Sequence, residues 1–309
     1  RHLVIYSTAC GTLQWPLTSA AGIHLQLCHF GWAAAPGRLQ QTAAAHASKC
    51  MAHSKYEYVK QFELDDRLLP GCFIVARIDG KGFTKFSELH KFEKPNDKRA
   101  LDLMDACAKE VLSEFPDVRL AFGESDEYSF VLHKGADLYG RRSSKIVSLL
   151  TSCFTANYVR HWPSFFPEQS LQATPMFDGR TVLYPSLQVL RDYLTWRQVD
   201  THINNQYNTV FWALVQQGGL SPLEAQVALK GTDAAAKNEI LFGRFGVNYN
   251  NLPEQFKKGS IVVREAQSVV AKLKEDGTPV MRERRIPTVL HCDFIKDEPF
   301  WTSRPGLLE

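Results

Sequence analysis

Val118-Arg-Leu-Ala-Phe122, Gly123-Glu-Ser-Asp-Glu127 and Tyr128-Ser-Phe-Val-Leu132 run on without a break, and this stretch decides the fold. Two β-rich runs with alternating faces flank a tight polar turn, which predicts an antiparallel hairpin. Upstream, Cys72-Phe-Ile-Val-Ala-Arg-Ile78 reads as a short strand stopped by Asp79-Gly80. Between the two, Asn96 or Asp97 caps a helix whose apolar residues Leu101, Met104, Ala108, Val111, Leu112 and Phe115 follow the helical period. Downstream, an amphipathic segment from Leu138 to about Arg160 leads into a loop broken by Pro163, Pro167 and Pro175. Arg180-Thr-Val-Leu-Tyr184 then forms a fourth strand. The order β-α-β-β-α-β predicts an α+β, ferredoxin-like βαββαβ fold. In that topology the third strand lies between the first and second and runs antiparallel to both. The end of the first strand therefore meets the start of the third, which brings Asp79 and Asp126 together.

The C-terminal half is predicted to be largely helical. Leu187, Leu190, Tyr193, Leu194, Tyr207, Val210, Phe211 and Leu214 stand at helical spacings, and Ser221-Pro-Leu-Glu224 is a capping box with Pro at the first helical position. A further helix begins near Thr232, followed by Asn248-Tyr-Asn-Asn251, the run Ile261-Val-Val263 and a charged hairpin around Asp276-Gly277. The predicted organisation is a leader over 1–50, a catalytic domain over 51–186 and a helical half over 187–309.

The 309 residues carry 36 Lys and Arg against 33 Asp and Glu, and the surplus of three is Arg1, Arg38 and Lys49 in an acid-free leader. Residues 51–309 are thus balanced, so a nucleic-acid contact requires a local basic patch rather than a global positive field. The leader reads as a mitochondrial transit peptide or an unprocessed upstream extension, with Met51 the expected start. Seven cysteines without a CxxC pair point to reduced thiols and a cytoplasmic or nuclear location, the leader keeping a mitochondrial one open. No run reaches the roughly 18 apolar residues of a membrane helix.

Two carboxylates at one sheet edge hold divalent cations for displacement at phosphorus, and hard carboxylate oxygens suit Mg²⁺. Asp-Gly and Gly-Glu-Ser-Asp-Glu are each ordinary turn sequences taken singly, but the topology pairs them. Gly80 lets its carbonyl and the amides of Lys81, Gly82, Phe83 and Thr84 approach a metal or triphosphate. Lys94, Arg141, Arg142, Lys145 and Lys237 are candidates for phosphate contacts. His202-Ile-Asn-Asn-Gln-Tyr-Asn-Thr209 sets three asparagines, a glutamine and a histidine inside a helix, either for recognition or as buried polar bridges. A GxSxG elbow, HExxH and Walker A loop are all absent from the sequence.

At these residues the chain resembles the tRNA-His guanylyltransferase family. The likeness runs from Met51 to about Phe300 and is carried by Ser54-Lys-Tyr-Glu-Tyr-Val59, Arg77-Ile-Asp-Gly80, Lys94-Pro-Asn-Asp97, Phe122-Gly-Glu-Ser-Asp-Glu-Tyr-Ser-Phe130, Phe177-Asp-Gly-Arg180, Trp196-Arg-Gln198, 202–209 and Lys237-Asn-Glu-Ile-Leu241. Gln206 and Ala236 depart from the family's usual Leu and Asp. The resemblance implies a polymerase-type palm that works in the 3′-to-5′ direction, with two Mg²⁺ ions on Asp79, Asp126 and the Gly80 carbonyl. It also implies GTP contacts from Asp79, Gly80, Lys81, Gly82, Phe83, Thr84, Ser125 and Asp126. Lys94, Lys145, His202, Asn205, Lys237 and Glu239 are expected near the triphosphates or the tRNA end. Histidine tRNA, ATP and GTP are the implied substrates, and a homotetramer the implied assembly. A nucleotide cyclase with the same palm, or a non-catalytic RNA-binding protein, are the rival readings; the amide-rich helix argues against the first, and the intact carboxylates against the second.

Overall fold

β1 (Phe73–Gly80) runs two residues beyond the predicted strand, so that Asp79 and Gly80 lie inside the ladder rather than ending it. The computed structural model describes residues 54–273, 277–294 and 298–308; the leader, Met51 and Asp276 lie outside them. The chain divides into one unit ending at Tyr58 and another over Val59–Glu309. Of the first, Ser54–Tyr58 form a turn closed by the Glu57 N–H on the Ser54 carbonyl at 2.9 Å.

In the larger unit, a left-handed Gly82 (φ 71°) starts α1 (Phe83–Leu89), a conformation that glycine adopts without strain. Asp97 caps α2 (Lys98–Glu114) by accepting from the Arg99 N–H at 3.0 Å. The inward face of α2 buries Leu103, Met104, Val111 and Leu112 fully, each contributing about 1.5–3 kcal/mol of burial free energy. β2 (Val118–Glu124) and β3 (Glu127–Leu132) are joined by only Ser125 and Asp126, a turn tighter than the predicted five residues. Ser125 takes φ 50° there, as a two-residue hairpin turn requires.

α3 (Ser143–Phe165) continues past the predicted end near Arg160 and contains Pro163. Trp162, Phe154 and Tyr158 pack inward along this helix, and the proline removes a single N–H within its last turn. β4 (Phe177–Tyr184) then pairs antiparallel with β1.

α4 (Leu187–Gln216) is one helix of 30 residues, α5 (Pro222–Leu229) carries the predicted capping box, and α6 (Ala234–Phe245) starts at the Asp233 cap. After α7 (Glu254–Lys258) come β5 (Ser260–Leu273), β6 (Pro279–Leu290) and α8 (Glu298–Thr302). β5 pairs with β2, so the sheet order is β4-β1-β3-β2-β5-β6. The helical half therefore adds two strands to the palm sheet. One sheet face packs on α1, α2 and α3, and the other on α4 and the C-terminal residues Phe294, Phe300 and Trp301. α4, α5 and α6 close a third core around Val210, Leu214, Leu229 and Leu241.

Candidate active site

Asp79 stands near the end of β1, opposite Asp178 of β4 on one side and Glu127 of β3 on the other. The Gly80 N–H donates to the Asp126 carbonyl at 3.0 Å, which ties the β2–β3 turn to the end of β1. Asp126 also accepts from Ser125 Oγ at 3.0 Å. A β-carbon on Gly80 would fall 2.8 Å from Asp126 Oδ2 and closer still to the Phe83 ring, so only glycine leaves this cradle open. Burial, then the neighbouring Asp79 charge, pushes the Asp126 carboxyl up to about 6. Asp79 is raised by burial and by Asp178. Both carboxyls thus sit where an added positive charge, proton or cation, relieves the cost of a buried negative charge.

Among the described residues no group of three or more His, Cys, Asp or Glu is arranged to hold a metal ion. The cradle instead offers the Asp79 and Asp126 carboxyls and the Gly80 carbonyl, a hard-oxygen set of the kind that suits Mg²⁺.

Of the expected backbone amides, that of Lys81 is committed to the Met176 carbonyl at 2.8 Å. Those of Phe83 and Thr84 lie in the first turn of α1, where N–H groups lack an intrahelical acceptor. The basic candidates separate. Lys94 Nζ is half-buried, donates to Ser87 Oγ at 3.0 Å and lies 5.8 Å from the Trp212 ring; burial lowers its pKa. Lys145 lies over the Tyr139 ring at 4.8 Å, and Lys237 Nζ donates to the Thr232 carbonyl at 2.7 Å. Arg141 is not a phosphate contact: it is buried, and its guanidinium donates to the carbonyls of Leu68, Leu69, Cys72 and Ala136. Arg142 faces Asp66 at 3.9 Å.

The amide-rich stretch of α4 is split as well. Asn205 is buried, accepts from Asn96 at 2.8 Å and donates to Tyr249 Oη at 3.0 Å, which is the polar-bridge arrangement. Gln206 ties α4 to α6 through the Ala234 carbonyl and Asn238. His202 is exposed beside Tyr249, and Glu239 is exposed on α6. A cavity of about 100 Å³ opens beside Ser125, lined by Asn96, Asp105, Glu124, Asn204 and Asn208 among others. Below it, Asp105 accepts from Tyr128, Gln255 and Ser260. Burial raises Glu124 to about 8.

Sequence reasoning passed over Asp178 and Asp105. Asp178 belongs to the motif Phe177-Asp-Gly-Arg180, and the two-residue extension of β1 is what places it opposite Asp79. Asp105 carried no signal, since a lone acid on a helix reads as surface.

A palm sheet with one carboxylate at the end of its first strand and a second in the adjoining β2–β3 turn is the frame that nucleotidyltransferases share with nucleotide cyclases. The tRNAHis guanylyltransferase family model matches residues 56–185 and the Thg1 C-terminal domain model residues 188–296. The chain is 53% identical over 283 residues to tRNA(His) guanylyltransferase of Neurospora crassa, covering 84% of this chain and 96% of that one. It is 54% identical over 258 residues to the Schizosaccharomyces pombe enzyme, covering 83% and 98%. The crystal structure of the Saccharomyces cerevisiae enzyme superposes with TM-score 0.66 at 54% identity, covering 68% of this chain and 93% of that one. A bacterial Thg1-like protein in complex with ATP shares the fold with TM-score 0.62 at 21% identity, covering 80% and 97%. The chain belongs to the tRNA(His) guanylyltransferase family.

Proposed function

We propose that this chain adds a guanosine to the 5′ end of histidine tRNA. The observation that carries the reading is the Asp126 turn tied to Gly80, the residue after Asp79 at the end of β1, where the Asp79 charge acts on the Asp126 carboxyl. A 5′-phosphate oxygen of the tRNA attacks the α-phosphorus of ATP and pyrophosphate leaves, giving an adenylylated end. The 3′-hydroxyl of GTP then attacks the activated phosphorus and AMP leaves; pyrophosphate is finally removed from the new end. Such transfers need positioning and charge neutralisation rather than a protein nucleophile. Asp79, Asp126 and the Gly80 carbonyl would hold two Mg²⁺ ions, which supply charge neutralisation and lower the pKa of the attacking oxygen.

The chain's own groups do the rest. Ser125, Gly82, Phe83 and Thr84 would line the nucleotide, the Phe83 ring walling one side of the cradle. Lys94, Lys145, His202, Lys237 and Glu239 are assigned to the triphosphates or the tRNA end, whereas Asn205 acts by holding Asn96 and Tyr249 in place. A homotetramer is part of the reading; exposed Val270, Leu273 and Met281 on the β5–β6 hairpin support an apolar contact there.

Purified chain mixed with histidine tRNA transcript, Mg²⁺, ATP and labelled GTP should yield a product one nucleotide longer at its 5′ end. Absence of that product, or its formation without ATP from a 5′-monophosphate tRNA, would overturn the reading.

A further inference from the structure

Glu124 and Glu127 stand directly opposite each other where β2 and β3 enter the Ser125–Asp126 turn. Two carboxyls so placed push the strands apart when both ionise, yet this is the turn that carries Asp126. Arg197, from the middle of α4, answers them. Its Nη1 lies 3.1 Å and 3.4 Å from the two Glu127 oxygens and 3.9 Å from Glu124 Oε1. Its Nη2 donates to Asp200 Oδ2 at 3.0 Å, one helical turn on. The side chain is only 8% exposed, and its guanidinium carbon lies 3.8 Å from the Trp196 ring centroid. Nε is buried without a hydrogen-bond partner, so the hold on the acids runs through Nη1 and Nη2. Arg77 of β1 supports Glu127 from the other side at 3.7 Å.

We propose that Arg197 is a positioning residue that holds the mouth of the Ser125–Asp126 turn and thereby fixes the Asp126 carboxylate against the end of β1. Arg197 touches neither Asp79 nor Asp126 and acts through Glu124 and Glu127. Its fork suits that role, because a planar guanidinium reaches two carboxyls at fixed angles, which a lysine ammonium on a flexible stem does not. Since α4 also carries Asn204, Asn205 and Asn208 into the cavity beside Ser125, the same helix sets the metal-holding turn and one wall of the neighbouring cavity. The proposal rests on the reading of Asp126 as a metal ligand.

The test uses the full chain with Mg²⁺ alone as probe, and measures melting temperature against Mg²⁺ concentration beside kcat and the KM for GTP. Two variants serve: Arg197→Lys, which keeps the charge, and Arg197→Gln with Glu124→Gln, which removes the guanidinium and replaces the buried Glu124 carboxyl, raised to about 8, by a neutral amide. In both, the Mg²⁺ concentration giving half of the thermal stabilisation should rise about 10-fold or more, and kcat should fall by roughly 10–100-fold, the range for loss of a group supporting a ligand. The KM for GTP should stay within about two-fold, and Arg197→Lys should be the milder variant. A lowered melting temperature with an unchanged Mg²⁺ midpoint and unchanged kcat in both variants would make Arg197 a purely structural residue and overturn the proposal. Asp126→Asn is the control for the underlying reading. If it keeps the Mg²⁺-induced stabilisation of the parent, the ligand assignment fails, and kcat in the Arg197 variants still decides whether the turn is being positioned.

Discussion

Gly80 and Asp126 are in mutual contact distance at the edge of the palm: a single β-carbon on Gly80 would stand 2.8 Å from Asp126 Oδ2. Gly80→Ala should therefore do more than its one methyl suggests. The Phe83 ring, nearer still, must also shift, and overpacking of this kind destabilises by about 1–3 kcal/mol. Guanosine addition should fall by roughly 10²-fold, because a displacement of about an ångström at the reacting centre is enough. Thermal melting and turnover on one preparation check both, and near-normal turnover would mean that the cradle is wider in use than in this structure.

Asp79→Asn and Asp126→Asn should each lower turnover by about 10³-fold or more, the scale for loss of a main charge stabiliser. The metal-free fold should not suffer, since burial and a neighbouring carboxylate disfavour the charge that each change removes. Circular dichroism melting in a chelator, beside single-turnover addition of labelled GTP, measures the two effects. A mutant with a collapsed fold and intact chemistry would reverse the assignment.

The raised carboxyls give a pH dependence with a definite sign. Asp126 titrates near 6 in the folded chain against an ordinary 3.8. Between those values the folded state binds more protons than the unfolded state, so this group's effect on metal-free stability worsens as pH rises from about 4 to about 6. In Asp126→Asn that effect is gone, and the melting temperature of the variant minus that of the parent should grow across the window and level off above it. Mg²⁺ affinity of the parent should climb through the same range, because the ion displaces the proton. A gap that shrinks with rising pH would contradict the assignment.

Asn205 and His202 should part company on mutation. Asn205→Ala leaves Asn96 and Tyr249 without their shared partner, a loss of about 1–3 kcal/mol and several degrees of melting temperature. The exposed His202 side chain should be removable with little change in melting, any defect appearing in tRNA or nucleotide use. Differential scanning calorimetry and steady-state kinetics on both alanine variants separate the two roles; a stable Asn205→Ala with a large KM defect would return Asn205 to direct contact.

The palm was legible because local pattern specifies it. Alternating residues on both sides of Ser125-Asp126, the Asp97 cap and the periodic face of α2 lie within a few positions of each other in sequence, and together they placed Asp79 beside Asp126. Side chains whose role depends on distant partners were not legible. Arg141 is chemically identical to a surface arginine until four carbonyls from two segments surround it, and Asn205 carries the same composition signal whether it meets RNA or Asn96. The pairing of β5 with β2 spans more than a hundred residues, and no short-range periodicity encodes it.

That pairing makes the palm inseparable from the C-terminal half of the chain. Were the chain cut after residue 186, β2 would become an open edge offering Leu120 and Phe122 and unpaired backbone groups to any passing strand, while the sheet face now under α4 would be bare. The palm segment by itself would present that edge as an aggregation hazard, and in the whole chain the edge is covered by Ile261, Val262 and Val263, contributed from the far end of the sequence.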